Sequence, residues 1–335
     1  MDEQRGLRYG ERPGLRFACL LDGRGRARDL SWDELRQWQP GQGVLWIHLE
    51  RDSPEAQRWL LDESGINPVM CEALLAEESR PRVEDVEDAL LAVLRGVNAG
   101  ATGPDALDLV PIHLWIDAGR VISLRDKDHF LLALRDIREA LAAGKGPTGS
   151  GDLFVKIAAK LVRDVEPVLA QLDDEVDDLD DHLQDMDSES ARHRLGDLRR
   201  RSIHLRRYLS PQREALFRLQ VEDMPWLSKR DKIHLREVTD KVLRYVESLD
   251  TTRDRTTILH EDLTALVSER ISKNSHRLTA LAAVLLPPSL IAGVLGVNVS
   301  GIPGNDNPWA FAMVVAIILG VFPLELWIFR RLGWF

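Results

Sequence analysis

The spacing of apolar residues changes along the chain and marks its parts. Between residues 15 and 126, short apolar runs separated by turn residues predict β-strands. The predicted strands are LRFACLL, VLWIHL, ALLAVLRGV, LDLVPIHLWID and RVISLRD, and the turn DAGR joins the last two. Helical spacing begins at Ser31, Ser53 and Asn67, and the two serines are candidate N-caps. We expect residues 1–150 to form an α/β domain that ends in a linker, GKGPTGSG.

Residues 151–227 have helical spacing and strongly segregated charge. Apolar residues recur every three or four positions over 152–183, which predicts one helix. Its second half is acidic, DDEVDDLDDHLQDMD, and the segment that follows is basic, RHRLGDLRRRSIHLRR. We expect an antiparallel helical hairpin in which the two charged segments face each other. Mutual neutralisation on solvated faces is one interpretation, and an acidic rim that concentrates cations is the other.

Residues 228–277 predict a long helix that begins after Ser228. An apolar seam runs along this segment with steps of three and four residues, at Leu235, Val238, Val242, Tyr245, Leu249, Thr252, Thr256, Leu259, Leu263 and Leu266. If the helix continues to residue 297, it is ~105 Å long at 1.5 Å per residue. It would then connect the cytosolic part mechanically to a pore, and an oligomerising coiled coil is the alternative.

Two apolar runs close the chain. Residues 278–298 and 309–329 are each long enough to cross a hydrocarbon core of ~30 Å, with 299–308 as the loop and 330–335 as the tail. Basic residues flank the two runs at Arg270, Lys273, Arg277, Arg330 and Arg331, whereas the loop has no Lys or Arg. The positive-inside rule therefore places both termini in the cytosol and the loop outside.

Two membrane helices cannot enclose a pore, so a path for ions needs several copies around an axis. The first apolar run carries the polar side chains Thr279, Ser289 and Asn298, whereas the second has none until Glu325. We therefore expect the first run to line the path.

Charge and composition exclude other classes of function. The chain has 335 residues with a formal net charge of −10, which argues against binding to nucleic acid and suits a protein that handles cations. Cys19 and Cys71 are far apart and fit no metal-binding spacing. The first residues contain no apolar stretch typical of a cleavable signal peptide. We find no phosphate loop and no nucleophile with a base, so we expect no enzymatic activity and no prosthetic group.

At this point the sequence resembles the CorA metal-ion transporter family, and within it the zinc transporter branch known as ZntB. The segments RPRVEDVEDALLAVLRGV and HLWIDAGRVISLRD, the acidic hairpin, the long stalk helix and two final spans occur in the expected order. A Gly-x-Asn signature ends the first span, here as Gly296, Val297 and Asn298. Magnesium channels of the family typically have Met at the middle position, and Val followed by VSGIPG is similar to the zinc branch.

The resemblance implies a funnel-shaped homopentamer in a bacterial-type inner membrane, in contact with lipid and with divalent cations. It implies zinc transport, with uptake coupled to protons as the expected mode. The pore face it implies consists of Asn298, Ser289, Leu286, Ala282, Leu278 and Ser275. No charged, Cys or His side chain lies on that face, so we expect the ion to cross largely hydrated, past apolar constrictions at Leu286 and Leu278.

Further metal ligands are hypotheses. Asp306 is the only carboxylate in the loop, and Glu261 or Asp262 belongs to a possible inner cation site. His234 and Asp231 are three residues apart on the stalk helix, which suits a zinc pair. Two alternatives to zinc transport remain: a Mg²⁺ or Co²⁺ channel of the same fold, and a membrane-anchored coiled-coil scaffold or sensor without conduction.

Overall fold

The computed structural model describes residues 14–77, 80–100, 108–296 and 308–331. These residues fall into two compact units, one that extends to Leu259 and one that begins at His260.

A seven-stranded sheet forms the centre of the first unit. Its strand order is β2-β1-β3-β7-β6-β5-β4, with β3 and β7 parallel and the other neighbours antiparallel. The strands are β1 (Leu15–Leu21), β2 (Ala27–Asp29), β3 (Val44–Glu50), β4 (Arg82–Val86), β5 (Ala89–Val97), β6 (Leu109–Ile116) and β7 (Arg120–Arg125). The five predicted strands are confirmed. The sequence prediction missed β2 and β4, which are short or charged and lie at the two edges of the sheet.

Helices cover both faces of this sheet. Three helices within residues 32–75 pack on one face in a shared apolar core. The helix Ser150–Arg163 packs on the other face, where its Leu161 lies against Gly96. The helices are α1 (Trp32–Arg36), α2 (Pro54–Asp62), α3 (Pro68–Leu75), α4 (Leu132–Ala142) and α5 (Ser150–Arg163). Ser31 caps α1 as predicted and forms a capping box with Glu34, whereas Ser53 precedes α2 without a side-chain cap bond.

The segment predicted as a linker is closely packed. The Gly146 amide donates to the carbonyl of Gly25, and the Thr148 amide donates to the Asp152 carboxylate. A Cβ on Gly146 would come within 2.4 Å of Leu141. The connection between α4 and α5 is therefore held by contacts with the β1–β2 turn and with both of the helices that it joins.

Residues 152–183 form two helices, so the prediction of a single helix is wrong. The first of them, α5, ends at Arg163, and α6 (Glu166–His182) begins seven residues before the acidic series, which starts at Asp173. The break has a local cause, because Pro167 has no amide hydrogen for an intrahelical bond and fits only the first turn of a helix. The basic segment lies in α7 (Ser188–Val221).

The long helix α8 (Lys229–Leu295) is continuous through Pro287 and Pro288. Its start is capped as predicted: the Asp231 amide donates to Ser228 Oγ (3.2 Å), and the Ser228 amide donates to the Asp231 carboxylate (2.9 Å). The seam from Leu235 to Thr256 is buried inside the first unit of a single chain, so in this stretch it is not free to form a coiled coil between chains. The last helix is α9 (Ala310–Arg331).

Candidate functional site: an exposed face of the first span

The residues implied to line a pore share one exposed face of α8. Leu278 and Leu286 are 67% and 65% exposed, and Ser275, Ala282 and Ser289 are also exposed. The buried residues of this stretch, Ala280 and Val284, are each 7% exposed. Each residue turns the helix by about 100°, so the five exposed residues are centred about 180° around the helix axis from Ala280 and Val284.

The C-terminal end of this face reaches the limit of the described residues. The Gly296 amide still donates to the Ala292 carbonyl (2.9 Å), so the helical bonding pattern extends to the first residue of the signature. Val297, Asn298 and Asp306 lie outside the described residues. The structure therefore places five of the predicted pore residues and Gly296, but not the amide expected at the mouth.

Two of the described helices have the length and composition to cross a membrane. These are the apolar end of α8 and the segment Phe311–Arg331 of α9. Their large apolar side chains are mostly exposed, with Phe311 at 81% and Leu290 at 66%. Such exposure is expected of a helix whose surroundings are lipid or other subunits, and it would be unfavourable in water.

The proposed cytosolic metal ligands are placed apart from one another. Asp231 is engaged in the cap of α8, and the His234 imidazole lies 3.3 Å from Glu237 rather than beside Asp231. Glu261 and Asp262 are exposed. Within the part of the chain that the structure describes, no three His, Cys, Asp or Glu side chains converge as a metal site.

The acidic side chains of α6 are in part neutralised by basic partners on α7. Arg194 donates to Asp178 (2.7 Å) and Arg201 to Glu175 (2.5 Å). The hydrogen bond from Arg194 lowers the pKa of the exposed Asp178 carboxyl. The antiparallel pairing of the two charged segments is thus confirmed, and it supports mutual neutralisation for these residues.

Sequence reasoning missed how α6 is joined to α8. The Asp173 carboxylate accepts hydrogen bonds from Thr252 Oγ1 (2.7 Å) and Ser248 Oγ (3.2 Å), and Arg255 lies 2.6 Å from Asp177. Thr252 and Thr256 interrupt the apolar seam in the sequence. A buried hydroxyl needs a polar partner, so these two residues indicated that a polar group lies against the seam. The identity of that partner depends on the helix packing.

The comparisons with known proteins identify the family. A family model described as CorA-like Mg²⁺ transporter protein matches residues 41–331. The chain belongs to the CorA family. The chain is also 35% identical over 329 residues to the divalent cation transporter CmaX of Pseudomonas aeruginosa, which covers 97% of this chain and 98% of CmaX. It is 33% identical to the zinc transport protein ZntB of Pectobacterium carotovorum, over 96% of both chains.

Solved structures of CorA-family proteins have the same fold. Full-length CmaX matches with a TM-score of 0.82 and 35% identity, over 97% of this chain and 99% of CmaX. The magnesium transporter CorA of Methanocaldococcus jannaschii matches with a TM-score of 0.81 and 21% identity, over 95% and 98% of the two chains. As a CorA-family protein the chain is a divalent cation transporter and not an enzyme, and it needs no prosthetic group. The alternative of a scaffold without transport is therefore set aside.

Proposed function

We propose that this protein carries Zn²⁺ into the cytosol through a path lined by α8 of five identical subunits. The observation that carries the proposal is the exposed face of α8, where Ser275, Leu278, Ala282, Leu286 and Ser289 lie opposite the buried Ala280 and Val284. Helices repeated around an axis would bring this face together, which accounts for its lack of charge and its exposure in one chain.

The same face suits a hydrated ion. Ser275 and Ser289 offer neutral oxygens that bind the water around a dication without holding it too tightly to release. Dehydrated zinc prefers Cys and His ligands, which this face does not have. Leu278 and Leu286 would form apolar rings that interrupt the water column and thereby gate the path.

The choice of zinc rests on relatives and on the signature. ZntB proteins are named for zinc transport and align with nearly the whole chain, and the Val297 position is similar to theirs. A Mg²⁺ or Co²⁺ channel is the second candidate, because the matching family model is named for Mg²⁺ and CmaX only for divalent cations.

Uptake and topology follow from charge. A dication that moves inward across 100 mV gains about 4.6 kcal/mol, so the membrane potential drives entry. The basic flanks of both spans place the N- and C-termini in the cytosol, with the loop on the outer side of the inner membrane. Glu325 is the titratable side chain within the second span and the candidate for proton coupling.

Flux into proteoliposomes tests the proposal. We expect faster uptake of Zn²⁺ than of Mg²⁺ or Co²⁺, an increase when the outside is acidified, and loss of that increase in Glu325→Gln. Zinc entry no faster than magnesium entry would favour the second candidate, and uptake that ignores an imposed pH gradient would rule out proton coupling.

The Asn298→Ala variant tests the position of the outer mouth. The change removes a carbonyl oxygen from each subunit, so we expect Zn²⁺ uptake to fall at least about tenfold while the protein stays assembled. Size measurement of the purified protein in detergent is the control for assembly. A correctly assembled variant with normal uptake would show that Asn298 does not contact the ion.

A further inference from the structure

A large cleft in the first unit is separate from the proposed ion path. It has a volume of about 1140 Å³ and lies at the end of the sheet where the β4–β5 and β6–β7 turns meet α1 and α2. Pro225 of the α7–α8 connection closes one side. The lining shares no residue with the exposed face of α8, so transport as proposed above gives it no role.

Three tryptophans give the cleft aromatic walls. They are Trp38, which follows α1, Trp59 of α2 and Trp115 of β6. Trp115 Nε1 donates to the Asp117 carboxylate (3.2 Å). Trp38 Nε1 is buried, and among the described residues no acceptor lies within hydrogen-bond distance of it. Because that nitrogen is closed to solvent, an occupant of the cleft can contact only other atoms of the Trp38 indole.

The charged groups of the lining give the cleft a negative balance. Two guanidinium groups are neutralised in place: Arg36 donates two hydrogen bonds to Glu63 (2.7 and 3.1 Å), and Arg120 Nε donates to Asp117 (2.7 Å). Glu87 and Asp88, both exposed, add two more carboxylates at the β4–β5 turn. The lining therefore contains four carboxylates and two guanidinium groups.

The β4–β5 turn holds its acidic residues in a defined position. Glu87 has a φ of 57°, in the left-handed region that a glutamate seldom occupies. The carbonyl of the next residue, Asp88, accepts a hydrogen bond from Trp226 Nε1 (3.0 Å) in the α7–α8 connection. The turn has only two residues between the paired Val86 and Ala89, and a positive φ is what such a short hairpin turn requires.

We propose that this cleft binds a small organic ammonium ion. Tryptophan faces attract ammonium groups through the ring quadrupole, and the excess of carboxylates attracts the same charge from a longer distance. Anions are excluded by the negative balance.

A bare metal ion fits the cleft less well than an organic cation. Divalent ions such as Mg²⁺ need several oxygen ligands that converge on one point. Here the carboxylates of Glu63 and Asp117 are already engaged by arginines, and much of the remaining wall is indole. The walls therefore favour a ligand with apolar surface around its charge.

Calorimetry on the full-length protein in detergent tests this assignment, with choline as the probe. Its neutral isostere, 3,3-dimethylbutan-1-ol, has the same shape and hydroxyl group but no charge. We expect choline to bind at least about tenfold more tightly than the isostere, because only the cation gains the aromatic and carboxylate interactions. Absence of choline binding, equal binding of the isostere, or displacement of choline by equimolar Mg²⁺ would overturn the proposal.

Three variants locate the binding to the cleft. Trp38→Leu and Glu63→Gln should each weaken choline binding about tenfold, whereas Trp38→Phe should retain most of it because the aromatic face remains. Glu72→Gln on the exposed side of α3, outside the cleft, is the matched control and should bind as the unchanged protein does. Wild-type affinity in Trp38→Leu and Glu63→Gln would show that choline binds elsewhere. The melting temperature of each variant shows whether it is folded, and the Glu63→Gln result decides the case if Trp38→Leu does not fold.

Discussion

At the scale of single residues, two histidines inside the sheet are held neutral. His48 accepts a hydrogen bond from Arg125 Nε at Nε2 (3.1 Å), so its proton lies on Nδ1, beside Ser123 Oγ (2.9 Å). Burial, with the Arg125 charge, holds the pKa of His48 well below its usual value. Burial also lowers the pKa of His113 to about 4.

These histidines make the stability of the protein depend on pH. Below pH 6.5 the unfolded chain takes up protons that the folded chain refuses, so unfolding becomes more favourable as the pH falls. At pH 5 His113 costs about 2 kcal/mol relative to pH 7. In His113→Gln we expect the loss of stability between pH 7 and pH 5 to shrink by about that amount.

Melting of the full-length protein at the two pH values measures this effect. His193→Gln is the control, because His193 lies on the exposed surface of α7 and the change should leave the acid sensitivity nearly as it was. An unaltered acid sensitivity in His113→Gln would mean that His113 takes up its proton in the folded state.

Residue spacing alone left the role of Asp231 open. A separation of three residues on a helix suits both a metal pair with His234 and a capping box with Ser228. The structure places the Asp231 carboxylate on the Ser228 amide and hydroxyl at the first turn of α8. A carboxylate so engaged, and only 8% exposed, is poorly available to a metal ion.

At the scale of elements, α8 is held to α6 by hydroxyl groups. Thr252 is 2% exposed and donates to the Asp173 carboxylate. We expect Thr252→Val, which keeps the shape and removes the donor, to lower the free energy of unfolding by about 1–2 kcal/mol. The exposed Thr257 on the same helix bonds only to the Arg253 carbonyl among the described residues, so Thr257→Val should change the melting temperature little. Equal effects of the two changes would mean that the bond to Asp173 contributes no net stability.

Two helical glycines should respond in opposite directions to the same change. A Cβ on Gly151 of α5 would lie 2.6 Å from the Trp226 carbonyl oxygen, a backbone atom that cannot easily move, so Gly151→Ala should destabilise the protein. A Cβ on Gly196 of α7 meets only the tip of Arg200 at 3.4 Å. Alanine is the better helix former, so Gly196→Ala should stabilise by up to about 1 kcal/mol. Thermal melts of the two variants check both signs, and stabilisation by Gly151→Ala would show that α5 can move away from the α7–α8 connection.

At the scale of the whole molecule, the proposed gate depends on which face of α8 each leucine occupies. Leu286 lies on the predicted pore face, and Leu281, also exposed, lies about 100° from the centre of that face. If Leu286 forms an apolar ring, Leu286→Ser should wet the ring and raise resting ion flux several-fold. Leu281→Ser is the matched control and should leave the flux unchanged. Flux that rises in Leu281→Ser instead would place the path along a different face.

Local patterns along the chain were enough to predict the order of its parts and its family. The five central strands, the capped start of α8 and the two apolar runs each follow from local patterns, because strand alternation, capping and membrane length depend on neighbours in the chain. The Gly-x-Asn signature and the segments around it were enough to indicate the CorA family, which the comparisons confirmed.

Tertiary structure decided what depends on residues far apart in the chain. The edge strands β2 and β4 form because each pairs with the free edge of a neighbouring strand. Their own residues are too polar for a strand to be predicted from the sequence. The partner of Thr252, the packing of the 144–151 connection and the tryptophan-lined cleft each join segments separated by dozens of residues. Local pattern carries no information on such contacts, because they exist only when the chain is packed against itself.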